Sequence, residues 1–333
     1  MPDGFTLALL VVLGLALAFD YINGFHDTAN AIATSVSTRA LSPHWAIGMS
    51  AVANFAGALT GTEVAKTVGA GLVSAEFESQ AVIAAALIGA IIWNLLTWRL
   101  GIPSSSSHAL IGGLLGAVLI AGGISGWNMD GIVTKVLLPL IGSPIVGLFV
   151  GYLLMALLLN VFRRANPRRM NDRFRRLQVV SAAYMAFSHG SNDAQKTMGI
   201  MTLALLVAGV IPEFVVPLWV KVAAATAISL GTAGGGWRII KTMGSKVVKL
   251  DPVHGFAAET TAASIIFAAS QFGMPVSTTH VISSAIMGVG STGRLSAVRW
   301  GVARTIVTAW VLTLPAAGLT AAAAYLVLAP ILR

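Results

Sequence analysis

The sequence predicts an all-α, polytopic membrane protein made of two inverted-topology repeats, with broken helices and re-entrant hairpins meeting at a central site. Three observations predict it. Long apolar stretches recur from end to end. Three polar motifs occur twice, in the same order. The charge of matching connections changes sign between the two copies.

The apolar stretches come first. Of the 333 residues, 56% are apolar and 10% charged, against about 25% charged in soluble domains. Phe5–Ile22, Trp45–Leu59, Ala81–Thr97, Ala109–Gly122, Val136–Val161, Val216–Leu230 and Val302–Leu328 are all apolar, and about 20 such residues cross a bilayer. A soluble chain of this size has no interior large enough for them all, so the lipid bilayer is the expected surrounding. Met1–Gly4 has no positive run and Phe5–Ile22 no small-residue cleavage site, so no cleaved leader is expected. There is no cysteine, which excludes disulfides and thiolate metal sites. The net charge of +9 raises the question of nucleic acid. The positive charges, however, sit in short connections between apolar segments, as in cytoplasm-facing loops, and no nucleic-acid partner is expected.

The duplication divides the chain into a first repeat, 1–162, a basic connection, 163–176, and a second repeat, 177–333. Arg163–Arg176 holds seven arginines and one aspartate, too polar for lipid, and the positive-inside rule makes it cytoplasmic. Gly24-Phe25-His26-Asp27 matches Gly190-Ser191-Asn192-Asp193, Lys66–Gly69 matches Lys241–Gly244, and Gly101–His108 matches Gly273–His280. Three matches in one order identify a repeat. The connection near Arg39 and His44 is basic and its counterpart near Glu213 acidic. Glu63–Glu78 carries three glutamates and one lysine, whereas Arg238–Asp251 carries Arg238, Lys241, Lys246 and Lys249. Asp130 is answered by Arg294 and Arg299. Matching connections therefore lie on opposite sides, the plan of many secondary transporters.

The apolar segments are interrupted at matching places. Phe5–Ile22 runs into polar Asn23–Asn30, and Val179–Phe187 into Ser188–Lys196. Ala81–Arg99 stops at Gly101-Ile102-Pro103, and the second copy stops at Gly273-Met274-Pro275. Proline ends one helix and suits the first turn of the next, so each proline is expected to start the second arm of a hairpin. Irregular backbone at membrane depth must be buried or line a cavity, and paired breaks point to a central substrate site.

Several residues there carry chemistry. Asp27 and Asp193 are carboxylates within spans, costly and as a rule functional; a helix-capping aspartate is the bland alternative. Ser104–Ser107 (with Ser105, Ser106 and Ser107 after the break) and Ser277, Thr278 and Thr279 either bond back to nearby carbonyls or form an anion cradle at two helix N-termini. The cradle is favoured by the placement after proline in both copies. His108 and His280 close these clusters, either as pH-sensitive ligands or as satisfied polar residues facing the bundle. Glu259 has apolar residues on both sides and is a candidate cation or proton carrier, whereas Glu63 reads as part of an outer loop. His26 beside Asp27 suggests a metal ligand only weakly, because no third partner stands at close spacing.

Other motifs need discounting. Gly57–Gly61, Gly112–Gly116 and Gly147–Gly151 have the spacing of close helix packing. Gly234–Gly236 lacks the Lys-Ser/Thr and the strand of a nucleotide loop. Gly123-Ile124-Ser125-Gly126 resembles the serine motif of intramembrane proteases, but it has no duplicate and no assignable histidine.

At Gly24–Asn30, Gly101–His108, His189–Lys196 and Gly273–His280, the chain resembles the PiT family of inorganic phosphate transporters, and the resemblance covers nearly its whole length. It implies a transporter rather than an enzyme, with no cofactor, importing inorganic phosphate by alternating access in symport with sodium or protons. It also implies that Asp27, Asn30, Ser105–Ser107, Asp193 and Ser277–Thr279 surround substrate and coupling ions. Two positions depart from the sodium-coupled pattern: His26 precedes Asp27 where Asn is usual, and Lys196 stands three residues after Asp193 where Asn is usual. These features resemble the bacterial low-affinity branch, which implies an inner-membrane location, proton coupling and uptake of phosphate with a divalent metal. Whether the protein is a homo-oligomer stays open.

Asn30 lies three residues after Asp27, where its amide oxygen suits a cation between the two side chains. The matching Lys196 shares a helix face with Asp193. A fixed ammonium there replaces one bound cation, which favours proton coupling, with Asp27, Glu259, His108 or His280 as carriers. Snorkelling to the interface is the bland alternative for Lys196. The rivals are a sulfate permease on the same scaffold, an anion channel and, remotely, a serine protease acting through Ser125. The two carboxylates favour phosphate over sulfate, because phosphate at neutral pH still has a proton to donate to them.

Overall fold

A computed structural model describes residues 6–332; the expectations about Met1–Gly4 and Phe5 lie outside them. Among these described residues each half contributes six helices. The first has α1 (Leu7–Ser37), α2 (Pro43–Ala58), α3 (Glu63–Ala70), α4 (Gln80–Leu100), α5 (Ser106–Gly122) and α6 (Met129–Val161). The second has α7 (Pro167–Val207), α8 (Leu218–Gly234), α9 (Trp237–Lys241), α10 (Pro252–Gln271), α11 (Thr278–Ser291) and α12 (Trp300–Leu328). Among the described residues the one extended pairing is an isolated bridge between Val73 and Trp127.

The inversion is visible in how the equivalent helices α1 and α7 meet. Thr38 bonds Gln178, Thr34 and Ser181 share Glu259, Asp27 faces His189, and Asp20 faces Thr197. As numbers fall along α1 they rise along α7, so the two run antiparallel. The contacts exchange likewise: α5 packs on α12 as α11 packs on α6, and α1 on α8 as α7 on α2.

Charges separate accordingly. Arg238 bonds the carbonyl of Arg99 and Thr242 that of Gly101, while Arg299 N bonds Val247 O and Arg163 lies by His254. One end of the molecule therefore gathers Arg39, Arg99, Arg163–Arg176, Arg238–Lys249, Arg294 and Arg299. At the other end Asn128 N bonds Leu72 O and Ser74 N bonds Gly126 O, Gly273 approaches Glu63, and Phe214 lies against Gly69. That end holds Glu63, Glu76, Glu78, Asp130 and Glu213, together with Lys66, Lys135 and Lys221. We call the two the basic and acidic faces.

Small residues set the close approaches. A Cβ on Gly112 or Gly116 would strike the backbone of α12 at Leu314 or Gly318, and one on Gly147 or Gly151 that of α11 at Val281 or Ala285. The glycine spacing thus packs helices, as expected, although Gly61 lies beyond the end of α2 and meets only the Gln195 side chain. Ile141, Ile145, Phe149, Leu153 and Leu157 of α6 are exposed, an outward apolar stripe at helical spacing suited to lipid.

Four details correct the sequence reading. Among the described residues four helices, α1, α4, α6 and α12, are long and apolar enough to cross a membrane. The apolar stretches of α2, α5 and α8 form helices of 16, 17 and 17 residues, shorter than the roughly 20 a span needs. The basic stretch 163–176 is mostly not a loop: Asn166 Oδ1 accepts from Arg168 N and Arg169 N, and Pro167 opens the 41-residue α7. The polar runs Asn23–Asn30 and Ser188–Lys196 do not interrupt α1 or α7. Neither contains proline, and their side chains find partners on neighbouring helices. Finally, α5 and α11 start beyond their prolines. Gly101 (φ 67°) and Gly273 (φ 65°) end the first arms, and Ser105 and Ser277 are the N-caps.

Candidate functional site

The site lies where α1 and α7 cross between the N-termini of α5 and α11. Each polar run is admitted by a glycine at its start: a Cβ on Gly24 would strike the Ile228 carbonyl of α8, and one on Gly190 the Asn54 carbonyl of α2. Such approach lets the buried faces of α1 and α7 meet.

His189 lies between the two aspartates. Its Nε2 is 3.2 Å from Asp193 Oδ2 and 4.0 Å from Asp27 Oδ2, and its Nδ1 is 2.9 Å from Asn54 Oδ1. Asp193 also accepts from Thr278 Oγ1 at 3.1 Å and from the Lys196 ammonium. Lys196 is 1% exposed; it does not snorkel but donates to Ser107 Oγ and to the Val276 carbonyl at 3.1 Å. Asn30 Nδ2 donates to Thr278 Oγ1 at 3.2 Å and Thr279 Oγ1 at 2.9 Å. Asn30 therefore offers its amide hydrogens to the hairpin of the second half.

On the other side of Asp27, His26 Nδ1 is 2.5 Å from Asp27 Oδ1. Its Nε2 is 3.1 Å from Thr97 Oγ1 and 3.4 Å from Ser104 Oγ. The equivalent Asn192 bonds Ser270 Oγ and the Met274 carbonyl. Each therefore ties its central helix to the hairpin of its own half.

Asn30, Ser107, Asp193, Lys196, Thr278 and Thr279 thus form one buried hydrogen-bonded network, which Asp27 faces across His189. Ser105 and Ser277 belong to it only through the backbone, since their hydroxyls accept from His108 N and His280 N at 3.2 Å as helix caps. Ser106 is buried with an unpartnered hydroxyl. His108 and His280 pack ring to ring at 4.8 Å, and His280 stacks on Trp310 at 4.0 Å. They sit one turn into α5 and α11 rather than in the network. Glu259 lies elsewhere, toward the basic face, where Thr34 Oγ1, Ser181 Oγ (2.5 Å) and Gln178 Nε2 (3.1 Å) all donate to it.

The sequence reading missed His189. Its signal was the four-residue spacing to Asp193, which places both on one helix face. With it, Asp27, His189 and Asp193 bring three ligand atoms within 4.8 Å; His26, suggested weakly as a metal ligand by its place beside Asp27, is not among them. Ser125 is exposed and donates to its own turn at Gly122 O, without the histidine that a serine nucleophile needs.

Comparison with known proteins identifies the family and the fold. The model of the phosphate transporter family matches residues 23–173 and again 160–321. A probable low-affinity inorganic phosphate transporter of Bacillus subtilis (strain 168) is 50% identical over 325 residues, covering 97% of each chain. A protein so described from Rhizobium meliloti (strain 1021) is also 50% identical, over 96% of this chain and 97% of its own. A solved structure described as the sodium-dependent phosphate transporter superposes with a TM-score of 0.91 at 27% identity, covering 98% of this chain and 100% of that one.

Proposed function

We propose that this chain, which belongs to the phosphate transporter family, imports inorganic phosphate across the cell membrane in symport with a cation, by alternating access. One observation carries the reading. The N-termini of α5 and α11, which supply hydroxyls and free N–H groups, face each other across Lys196 and Asn30, one from each repeat. Helix N-termini and hydroxyls bind oxyanions, and an ammonium draws them inward. Asp27 and Asp193 then accept the proton that phosphate retains and sulfate lacks.

The unit of alternation is the repeat, residues 1–162 against 177–333, with the basic face and its 163–176 segment in the cytoplasm. Lys196 occupies the place a second cation would need, which favours protons over sodium as the coupling ion. The test is uptake into proteoliposomes with pH and sodium gradients imposed separately. An inward proton gradient should drive phosphate accumulation, with sulfate a poor competitor; failure of both gradients would overturn symport.

A second reading adds cargo. Asp27, His189 and Asp193 suit a divalent ion travelling with phosphate. Uptake should then fall when chelator removes the metal and recover when magnesium is restored.

A further inference from the structure

We infer that Asp20, with Asn23 and Thr197, forms a second cation site, which takes up the coupling cation from the acidic face before it reaches the central carboxylates. The inference rests on the coupled-uptake reading above. Asp20 is fully buried on α1. It precedes Asp27 by seven residues, so it sits roughly 10 Å nearer the acidic face at about 1.5 Å per residue.

Neither carboxylate oxygen of Asp20 has a hydrogen-bond partner. Asn23 and Thr197 lie against it, yet Asn23 Oδ1 and Thr197 Oγ1 are unpartnered too. A buried carboxylate whose neighbouring donors, the Asn23 amide and the Thr197 hydroxyl, do not reach hydrogen-bonding geometry is costly unless a positive charge satisfies it, and the oxygens of the three side chains suit a hard cation. A proton on the carboxylate or a sodium ion among the oxygens meets the same need. The charged groups facing Asp20 are Asp193 and His189, which are the next stop inward.

Glu259 provides the contrast. It too is fully buried beside α1, at Thr34, seven residues on the other side of Asp27, but three donors satisfy its oxygens. Asp20, Asn23, Asp27, Asn30 and Thr34 are all buried and recur every three or four residues, which makes one polar row along α1. The row runs from the unsatisfied carboxylate, past the central site, to the satisfied one. None of the hydroxyls of the phosphate cradle touches Asp20.

The test is Asp20→Asn in proteoliposomes, assayed for gradient-driven accumulation of labelled phosphate and for phosphate–phosphate exchange without a gradient. The variant should lose accumulation and exchange phosphate at the wild-type rate. Separate pH-gradient and sodium-gradient arms identify the cation as the one that drives the wild type. Accumulation retained by the variant overturns the proposal. So does loss of exchange along with accumulation, because Asp20 would then belong to the substrate site or to the fold. A wild type that exchanges phosphate yet accumulates it in neither arm overturns the coupled reading itself.

Discussion

Asn30 and Lys196 hold the same place in the two repeats, and each reaches the hairpin of the other: Asn30 Nδ2 lies 2.9 Å from Thr279 Oγ1, and Lys196 Nζ donates to Ser107 Oγ. The amide leaves its oxygen for a cation, whereas the ammonium excludes one. Lys196→Asn should therefore abolish uptake or make it sodium-dependent, while the wild type ignores sodium and fails when the proton gradient is collapsed. Wild-type uptake that needs sodium and ignores pH would refute this role.

The hydroxyls divide into donors and caps. Thr278→Val with Thr279→Val removes donors at the centre. Each hydrogen bond to a charged group is worth about 1.5–3 kcal/mol, so the apparent phosphate affinity should weaken at least about tenfold. Ser277→Ala removes a cap instead and should cost about 1 kcal/mol of stability. Equilibrium binding and thermal melting separate the two, and an unchanged affinity in the double variant would move the site elsewhere.

Asp27→Asn and Asp193→Asn should each abolish uptake while leaving the amount of membrane-inserted protein unchanged. Both carboxylates face His189, one from each repeat, so neither copy compensates for the other. Normal transport by either variant would exclude a shared site.

The antiparallel run of α1 and α7 makes a topological prediction. Glu76 and Ser245 are exposed, in the acidic and basic faces respectively, and the chain has no cysteine. Single cysteines there should react with an impermeant maleimide from opposite sides, Glu76→Cys outside and Ser245→Cys inside. Labelling of both from one side would reject the inverted arrangement.

Glu78 lies outside the spans, in the connection between α3 and α4, and burial pushes its carboxyl up from 4.5 to about 7. The folded chain favours the neutral acid. The contribution of Glu78 to stability is thus fully present below 4.5 and is lost as the pH rises through about 7. Relative to Glu78→Gln, the wild-type melting temperature should fall across that window; parallel curves would assign the carboxyl an ordinary value.

The sequence by itself determined the membrane class, the duplication and the breaks at Gly101–Pro103 and Gly273–Pro275, and it singled out Asp27, Asp193 and the hydroxyl clusters as candidates. Each of these depends on composition, local backbone chemistry or a comparison of the chain with itself. The tertiary structure alone decided what each polar side chain meets. It placed His189 between two aspartates of different repeats, made Ser105 and Ser277 caps, moved Glu259 out of the centre and left Asp20 unsatisfied beside Thr197. It also kept α1 and α7 continuous through their polar runs. In a membrane interior a polar residue is satisfied by whatever another helix presents at the same depth. Here that partner comes from the opposite repeat, more than 150 residues away in sequence for Asp27 and His189, where no local pattern records it.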